Sequence, residues 1–186
     1  KCVTRIEKNN GCNHMTCQRC SYEFCWICMG DWKSHGTATG GFYKCNRYEG
    51  NDQSDESDQS DAAKAKRMLH RYLHYYKRFH AHERSQKYAQ DQLVKTEARM
   101  VQLQDSSNDK KWTDVEFLKA ANEQLVECRR VLKYTYVFGY FLDPKLVRQR
   151  QQFEHHQEML ERFTESLSDL SEQPLDKMDR TSVVNQ

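Results

Sequence analysis

Beyond residue 60 the apolar positions recur at helical spacing. Leu69, Tyr72, Leu73, Tyr76 and Phe79 or His80 form one stripe, which Leu93, Val101 and Leu103 continue more sparsely. The period predicts a first helix from Ser60 or Asp61 to about Gln104, on the order of 65 Å long, with Ser60 or Asp61 capping the Ala62-Ala63-Lys64-Ala65 run. Thr113 with Glu116 reads as a capping box and Trp112 with Phe117 as a hydrophobic staple, so a second helix is expected to start there. Its stripe is Val115, Leu118, Leu125, Cys128, Leu132 and Tyr136, and the segment Tyr134 to Leu142, apolar nearly all round, is expected to be the most buried. Asp143-Pro144 is expected to cap and start a third helix with Phe153, Met159, Leu160, Phe163, Leu167 and Leu170 on one face, and Pro174 to begin a short fourth. Long helices with short connections predict an antiparallel bundle.

The first 50 residues follow another pattern. Gly11, Gly30, Gly36, Gly40, Gly41 and Gly50 precede residue 51 and only Gly139 follows, while seven cysteines crowd between Cys2 and Cys45 and only Cys128 lies beyond. Between the halves, Glu49 to Asp61 holds six acids and no base, with Ser54, Ser57 and Ser60 interleaved, the composition of a solvated linker. The reading is a zinc module over 1–48, an acidic linker over 49–61 and a helical domain over 62–186.

Composition narrows the classes. With 37% hydrophobic and 30% charged residues and a mean hydropathy of −1.02, the chain suits thin layers and long amphipathic helices better than a wide core. A net charge of +2 gives no global pull toward nucleic acid or an anionic membrane. The most apolar run, Val131 to Leu142, contains Lys133 and falls short of the ~20 residues a bilayer requires. His70 and His74 are spaced i, i+4, but Arg71 stands where a zincin has Glu, so no metal role is read there. His70 to Phe79 interleaves bases and aromatics as RNA-binding surfaces do, yet its aromatics fall on the expected core stripe, which favours packing over nucleic acid.

Clustered Cys-x-x-Cys pairs with a nearby His are the ligand pattern of zinc, which requires reduced thiolates and so points to cytoplasm or nucleus. Cys25-Trp26-Ile27-Cys28 is one knuckle, completed by His35 and Cys45. Cys17-Gln18-Arg19-Cys20 is a second, whose partners by spacing are Cys2, Cys12 or a residue upstream. Spacing alone slightly favours a structural site of Cys2, Cys12, Cys17 and Cys20, which would make the chain a non-catalytic zinc-binding and helical interaction module.

The local sequence shifts that balance. Glu7-Lys8-Asn9-Asn10-Gly11-Cys12-Asn13-His14-Met15-Thr16-Cys17, then Phe24-Cys25-Trp26-Ile27-Cys28, then His35 and Cys45, resembles the RING2 (Rcat) domain of RING-between-RING (RBR) ubiquitin ligases. Trp32, the ending Tyr43-Lys44-Cys45-Asn46-Arg47-Tyr48 and the aromatic-rich helical tail resemble the Ariadne subfamily, whose helical part is the Ariadne domain. The resemblance implies a mainly α chain: a small module of short β-hairpins and loops with two zinc sites, then an antiparallel helical bundle. It implies Cys2, Cys17 and Cys20 in site one with a further ligand upstream, Cys25, Cys28, His35 and Cys45 in site two, and Cys12 as nucleophile.

In such a ligase ubiquitin passes from an E2 thioester to Cys12 and then to a substrate amine, with His14 as candidate base and Glu7 assisting it. The resemblance further implies an inhibitory helical domain covering Cys12, protein substrates, an E2 bound through a RING1 that these residues do not include, and neddylated cullin-RING ligases as activating partners. It implies further Ariadne-domain residues after Gln186.

Overall fold

The computed structural model describes residues 2–8, 11–35, 44–48, 50, 59–104 and 109–172, with side chains described outside 44, 99–100 and 102–115. Strands β1 (His14–Thr16) and β2 (Glu23–Cys25) pair antiparallel, His14 opposite Cys25 and Thr16 opposite Glu23. Two 3-10 turns, Trp32–His35 and Lys44–Asn46, complete the small module. Helices α1 (Asp61–Gln104), α2 (Asp109–Phe141) and α3 (Val147–Ser171) follow. The fold is the expected zinc-ligand module followed by a helical domain.

Helix boundaries test the local signals one by one. Ser60 caps α1 as expected: its Oγ accepts the Ala63 N–H at 3.2 Å and its carbonyl the Lys64 N–H at 3.0 Å. α2 begins at Asp109, upstream of the expected box, so Trp112 and Thr113 lie inside the helix. Nothing in Asp109-Lys110-Lys111 breaks a helix, and an acid in the first turn suits its dipole. Asp143-Pro144 builds a turn and does not start α3: Asp143 accepts the N–H groups of Lys145 on Oδ1 and of Leu146 on its carbonyl, and α3 starts at Val147 without a side-chain cap. The expected fourth helix at Pro174 and linker residues 51–58 lie outside the described residues.

Packing departs from the hydrophobic pattern. Leu125, Leu132 and Tyr136 of α2 are buried as predicted. On α1, however, Leu69 is 55% exposed and Tyr72, Leu73, Tyr76 and Val101 also face solvent, while Arg78, His82, Ser85, Gln86, Ala89 and Thr96 face inward. α3 likewise buries Gln157, Glu161, Thr164, Glu165 and Ser168 and exposes Phe163. The end of α2 is not the most buried segment, since Tyr134, Phe138 and Phe141 are exposed. The physical reason is pairing of the buried polar groups: Tyr136 Oη donates to Glu161 Oε2 at 2.6 Å, Arg129 pairs with Glu165, and His82 Nε2 stands at ion-pair distance, 3.2 Å, from Glu161 Oε1 without hydrogen-bond geometry. Polar groups that pair with one another can occupy a helix junction that periodicity assigns to apolar side chains. The displaced aromatics Tyr72, Tyr76, Phe79, Tyr140 and Phe141 line an open groove of about 280 Å³ between α1 and α2, so the core argument against an RNA surface does not hold for them.

α1 also grips the end of the small module. His74 Nε2 donates to the Asn46 carbonyl at 2.9 Å, Arg78 Nε donates to Asn46 Oδ1 at 3.2 Å, and a second Arg78 nitrogen donates to the Cys45 carbonyl. Burial, then Arg78, pulls His74 down to about 3, so it holds this contact as a neutral ring. Arg47 pairs with Glu158 of α3 at 2.7 Å.

Candidate functional site

Two ligand clusters assemble on the knuckles. Cys17 to Cys20 and Cys25 to Cys28 each close with a left-handed residue, Ser21 at φ 53° and Met29 at φ 59°. Each such residue donates its N–H to the carbonyl of the first cysteine of its knuckle, at 2.8 Å in both. Cys25, Cys28, His35 and Cys45 bring their ligand atoms within 4.8 Å of one another, and so do Cys2, Cys17 and Cys20. Cys2 Sγ lies 3.6 Å from Cys17 Sγ, close to the ~3.8 Å edge of a tetrahedron built on Zn–S bonds of about 2.3 Å. His35 Nδ1 faces the Asp31 carbonyl at 3.1 Å, which leaves Nε2, 3.2 Å from Cys28 Sγ, as the ligand atom. A Cβ at Gly30 would come within 3.2 Å of Cys28 Sγ, so the cradle is shaped around the cluster. These residues can hold two metal ions.

Cys12 joins neither cluster. It is 4% exposed, and the His14 N–H points at its Sγ at 3.4 Å. The backbone on both sides of it is gripped by all three helices. The Gly11 carbonyl accepts from Ser85 Oγ of α1 at 2.7 Å and from Arg129 Nη2 of α2 at 3.2 Å. The Gly11 N–H donates to Glu172 Oε1 at 3.0 Å, just past α3. Asn13 donates its N–H to Glu165 Oε2 at 2.6 Å and its Nδ2 to Glu165 Oε1 at 2.9 Å, while Lys8 Nζ donates to Asn13 Oδ1 at 2.7 Å. Glycine at 11 suits this close seat, since a Cβ there would stand 3.0 Å from Ser168 Oγ and 3.2 Å from Tyr88 Cδ1, and those side chains would have to give by a few tenths of an ångström.

The electrostatics follow from that enclosure. Burial pushes the Cys12 thiol far above its ordinary range, and the Glu165 carboxylate adds to the effect. Burial opposes ionisation of Glu165 too, but Arg129 and Lys8 outweigh it and hold the carboxyl below the usual range. Burial pulls the Lys8 ammonium down to about 8, with Glu165 partly opposing.

His14 sits at the start of β1. Its ring stacks on Trp32 with centroids 4.2 Å apart, and Trp32 stacks in turn on the ligand His35 at 5.4 Å. Its Nε2 makes no hydrogen bond among the described residues and lies 3.8 Å from Glu23 Oε1 on the facing strand. Glu7 is exposed and shares with His14 a cleft of about 840 Å³, also lined by Arg5, Arg19 and Asp169, but Cys12 does not line it. The structure thus brings Glu7 and His14 to one cleft and turns Cys12 toward the helices. Sequence reasoning missed Lys8, Asn13, Ser85, Arg129, Glu165 and Glu172. For the residues of α3 and its end a signal existed, because Gln157, Glu161, Thr164 or Glu165, Ser168 and Glu172 recur with a polar helical period.

A Cys/His module carrying one thiol outside its metal clusters, with that thiol covered by a helical domain, defines the class. Residues 70–186 match the family model of the Ariadne domain and residues 1–47 that of the IBR domain, and the chain belongs to the Ariadne family. It is 47% identical, over 94% of its length and 33% of the relative's, to "E3 ubiquitin-protein ligase dbl4" of Schizosaccharomyces pombe. It is 42% identical, over 96% of its length and 34% of the relative's, to "Probable E3 ubiquitin-protein ligase rbrA" of Dictyostelium discoideum. Against "E3 ubiquitin-protein ligase ariadne-1" of Drosophila melanogaster the values are 40%, 94% and 33%. The chain therefore spans about a third of the length of these relatives.

Proposed function

We propose that this chain is the ubiquitin-accepting part of an RBR-type E3 ligase, with Cys12 as the acceptor thiol and the helical domain as its inhibitory cover. The observation that carries the reading is the position of Cys12: a thiol outside both metal clusters, on a backbone gripped by Ser85, Arg129, Glu165 and Glu172. The match over residues 1–47 carries the IBR name. We read the module as RING2 because Cys12 lies outside both ligand clusters and within the Gly11-Cys12-Asn13-His14 run that carries the RING2 resemblance. We take the metal to be zinc, for the sulfur and nitrogen donors suit it, with site one completed by a ligand outside the described residues.

When bound, zinc fixes the knuckles that carry the reacting loop, and the remaining steps fall to the chain's own groups. With the helices displaced, Cys12 loses both the burial and the carboxylate that keep it protonated, and the His14 N–H supports the thiolate. The thiolate attacks the E2-bound thioester carbonyl, the new C–S bond forms, and the E2 thiolate leaves. A substrate amine then attacks the same carbonyl, a base takes its proton, and Cys12 leaves as thiolate. His14 is the base we assign, because it lines the same cleft as Glu7 and its Nε2 is committed to no hydrogen bond among the described residues. The partners of this reading are ubiquitin, a ubiquitin-charged E2, a protein substrate and an activator that lifts the helices, the neddylated cullin-RING ligases of the Ariadne resemblance. A mechanism through reduced thiolates suits cytoplasm or nucleus, the compartments this reading assigns. Incubation of the full chain carrying Glu165→Gln and Glu172→Gln, which releases the covered thiol, with ubiquitin bearing a C-terminal electrophile, read by intact mass, tests the assignment. One adduct located to Cys12 and lost in Cys12→Ala is expected, whereas an adduct on any other cysteine would end the reading.

A further inference from the structure

Glu165 and Glu172 do more than bury the loop. Each carboxylate accepts a backbone N–H from a residue flanking Cys12, Glu165 from Asn13 and Glu172 from Gly11. Glu165 is bidentate, since its second oxygen takes Asn13 Nδ2 at 2.9 Å. The amide cannot be turned around, because Asn13 Oδ1 already accepts the Lys8 ammonium at 2.7 Å. Two donors of one residue, its main-chain N–H and its side-chain amide, therefore converge on a negative oxygen pair beside the thiol, and Lys8 polarises the amide from behind.

Acyl transfer at a thiol passes through a tetrahedral intermediate whose carbonyl oxygen becomes an oxyanion, and fixed N–H donors aimed at that oxygen lower the barrier. The N–H of the residue after the nucleophile is a recurring donor in such sites. Asn13 is that residue here. Resting on the reading of Cys12 as acceptor thiol, we propose that the Asn13 N–H and Nδ2 form the oxyanion hole of the transfer reaction, and that in the closed chain the Glu165 carboxylate occupies it as an oxyanion surrogate. Attack on the thioester carbonyl turns its π pair into an oxyanion held by these two donors. Collapse returns the pair to C=O and expels the leaving thiolate, first that of the donor and then, after amine attack and loss of a proton, that of Cys12.

The donors stay in place when the helices leave. The Asn13 carbonyl accepts the Trp26 N–H at 2.9 Å, which ties this peptide to the knuckle of site two, and Lys8 belongs to the same small module. Ser85, Arg129, Glu165 and Glu172 depart together on the helical domain. Inhibition and catalysis then use the same two donors, and a carboxylate is exchanged for the reacting carbonyl.

The test separates access to the thiol from stabilisation of an oxyanion. Alkylation of Cys12 by iodoacetamide forms no oxyanion, whereas acyl transfer from a small-molecule thioester of ubiquitin does. In the full chain, Glu165→Gln should raise both rates together. Asn13→Ala removes a grip of the helices and a catalytic donor at once, so alkylation should stay level or rise while acyl transfer falls about a hundredfold, the low end of the loss expected for an oxyanion donor. Asn13→Asp keeps the shape without the donor and should lower acyl transfer likewise, with zinc content and helical circular dichroism checking the fold of both variants. Alkylation and acyl transfer moving together in Asn13→Ala and Asn13→Asp would overturn the oxyanion hole. A Glu165→Gln chain whose Cys12 alkylates freely but accepts no ubiquitin would instead overturn the transferase reading itself.

Discussion

Arg129 is the largest of the fully buried side chains among the described residues. It is fully buried among His82, Glu165 and the Gly11 carbonyl, so it links the helical domain to the reacting loop as well as neutralising the junction. Removing one partner of a buried ion pair strands the other, at a cost of about 3–5 kcal/mol. Arg129→Leu should therefore lower unfolding stability by that order in a denaturant titration, and a loss near zero would show that the pair is dispensable. Glu161 gives the pH dependence. Burial opposes its ionisation, but His82, Tyr136 and Arg129 outweigh it and hold the carboxyl at about 2. Because the folded value is depressed, its contribution is fully present above the ordinary carboxylate pKa and is lost as pH falls from about 4.5 through 2. A shift of that size corresponds to roughly 3 kcal/mol. Thermal midpoints between pH 4.5 and 2 should fall more steeply for the native chain than for Glu161→Gln, and parallel slopes would contradict this.

At the scale of elements, the sequence told helix from loop better than it told inside from outside. Ser60 and the helical period located α1, and the Leu125–Leu132–Tyr136 stripe located the buried face of α2. The inward faces of α1 and α3 were not legible, because hydrophobic periodicity has no signal for His82 meeting Glu161 or Ser85 meeting Gly11. Those groups become cheap to bury only once three helices and a loop bring their partners together. The difference is measurable. Leu132→Ala, in the core, should cost about 2–5 kcal/mol, whereas Leu69→Ser on the exposed stripe of α1 should stay within about 0.5 kcal/mol. Equal losses at the two positions would restore the aromatic stripe to the core.

The whole molecule joins a reacting loop to its own cover. The two Cys/His clusters were legible because cysteine spacing is local in sequence, and they lie on knuckles beside a hairpin built from neighbouring residues. The cover was not legible, since Asn13 and Glu165 meet across 152 positions of chain. We propose that these long-range carboxylate contacts hold Cys12 unreactive. The most direct measurement is the rate of Cys12 alkylation in the full chain, by peptide mass, for the native protein and for Glu165→Gln with Glu172→Gln. A rise of about tenfold or more is expected at Cys12, equivalent to about 1.4 kcal/mol of lost closure, with the cysteines of the two clusters unchanged. A native rate already matching that of a free thiol, or no change in the double variant, would contradict it.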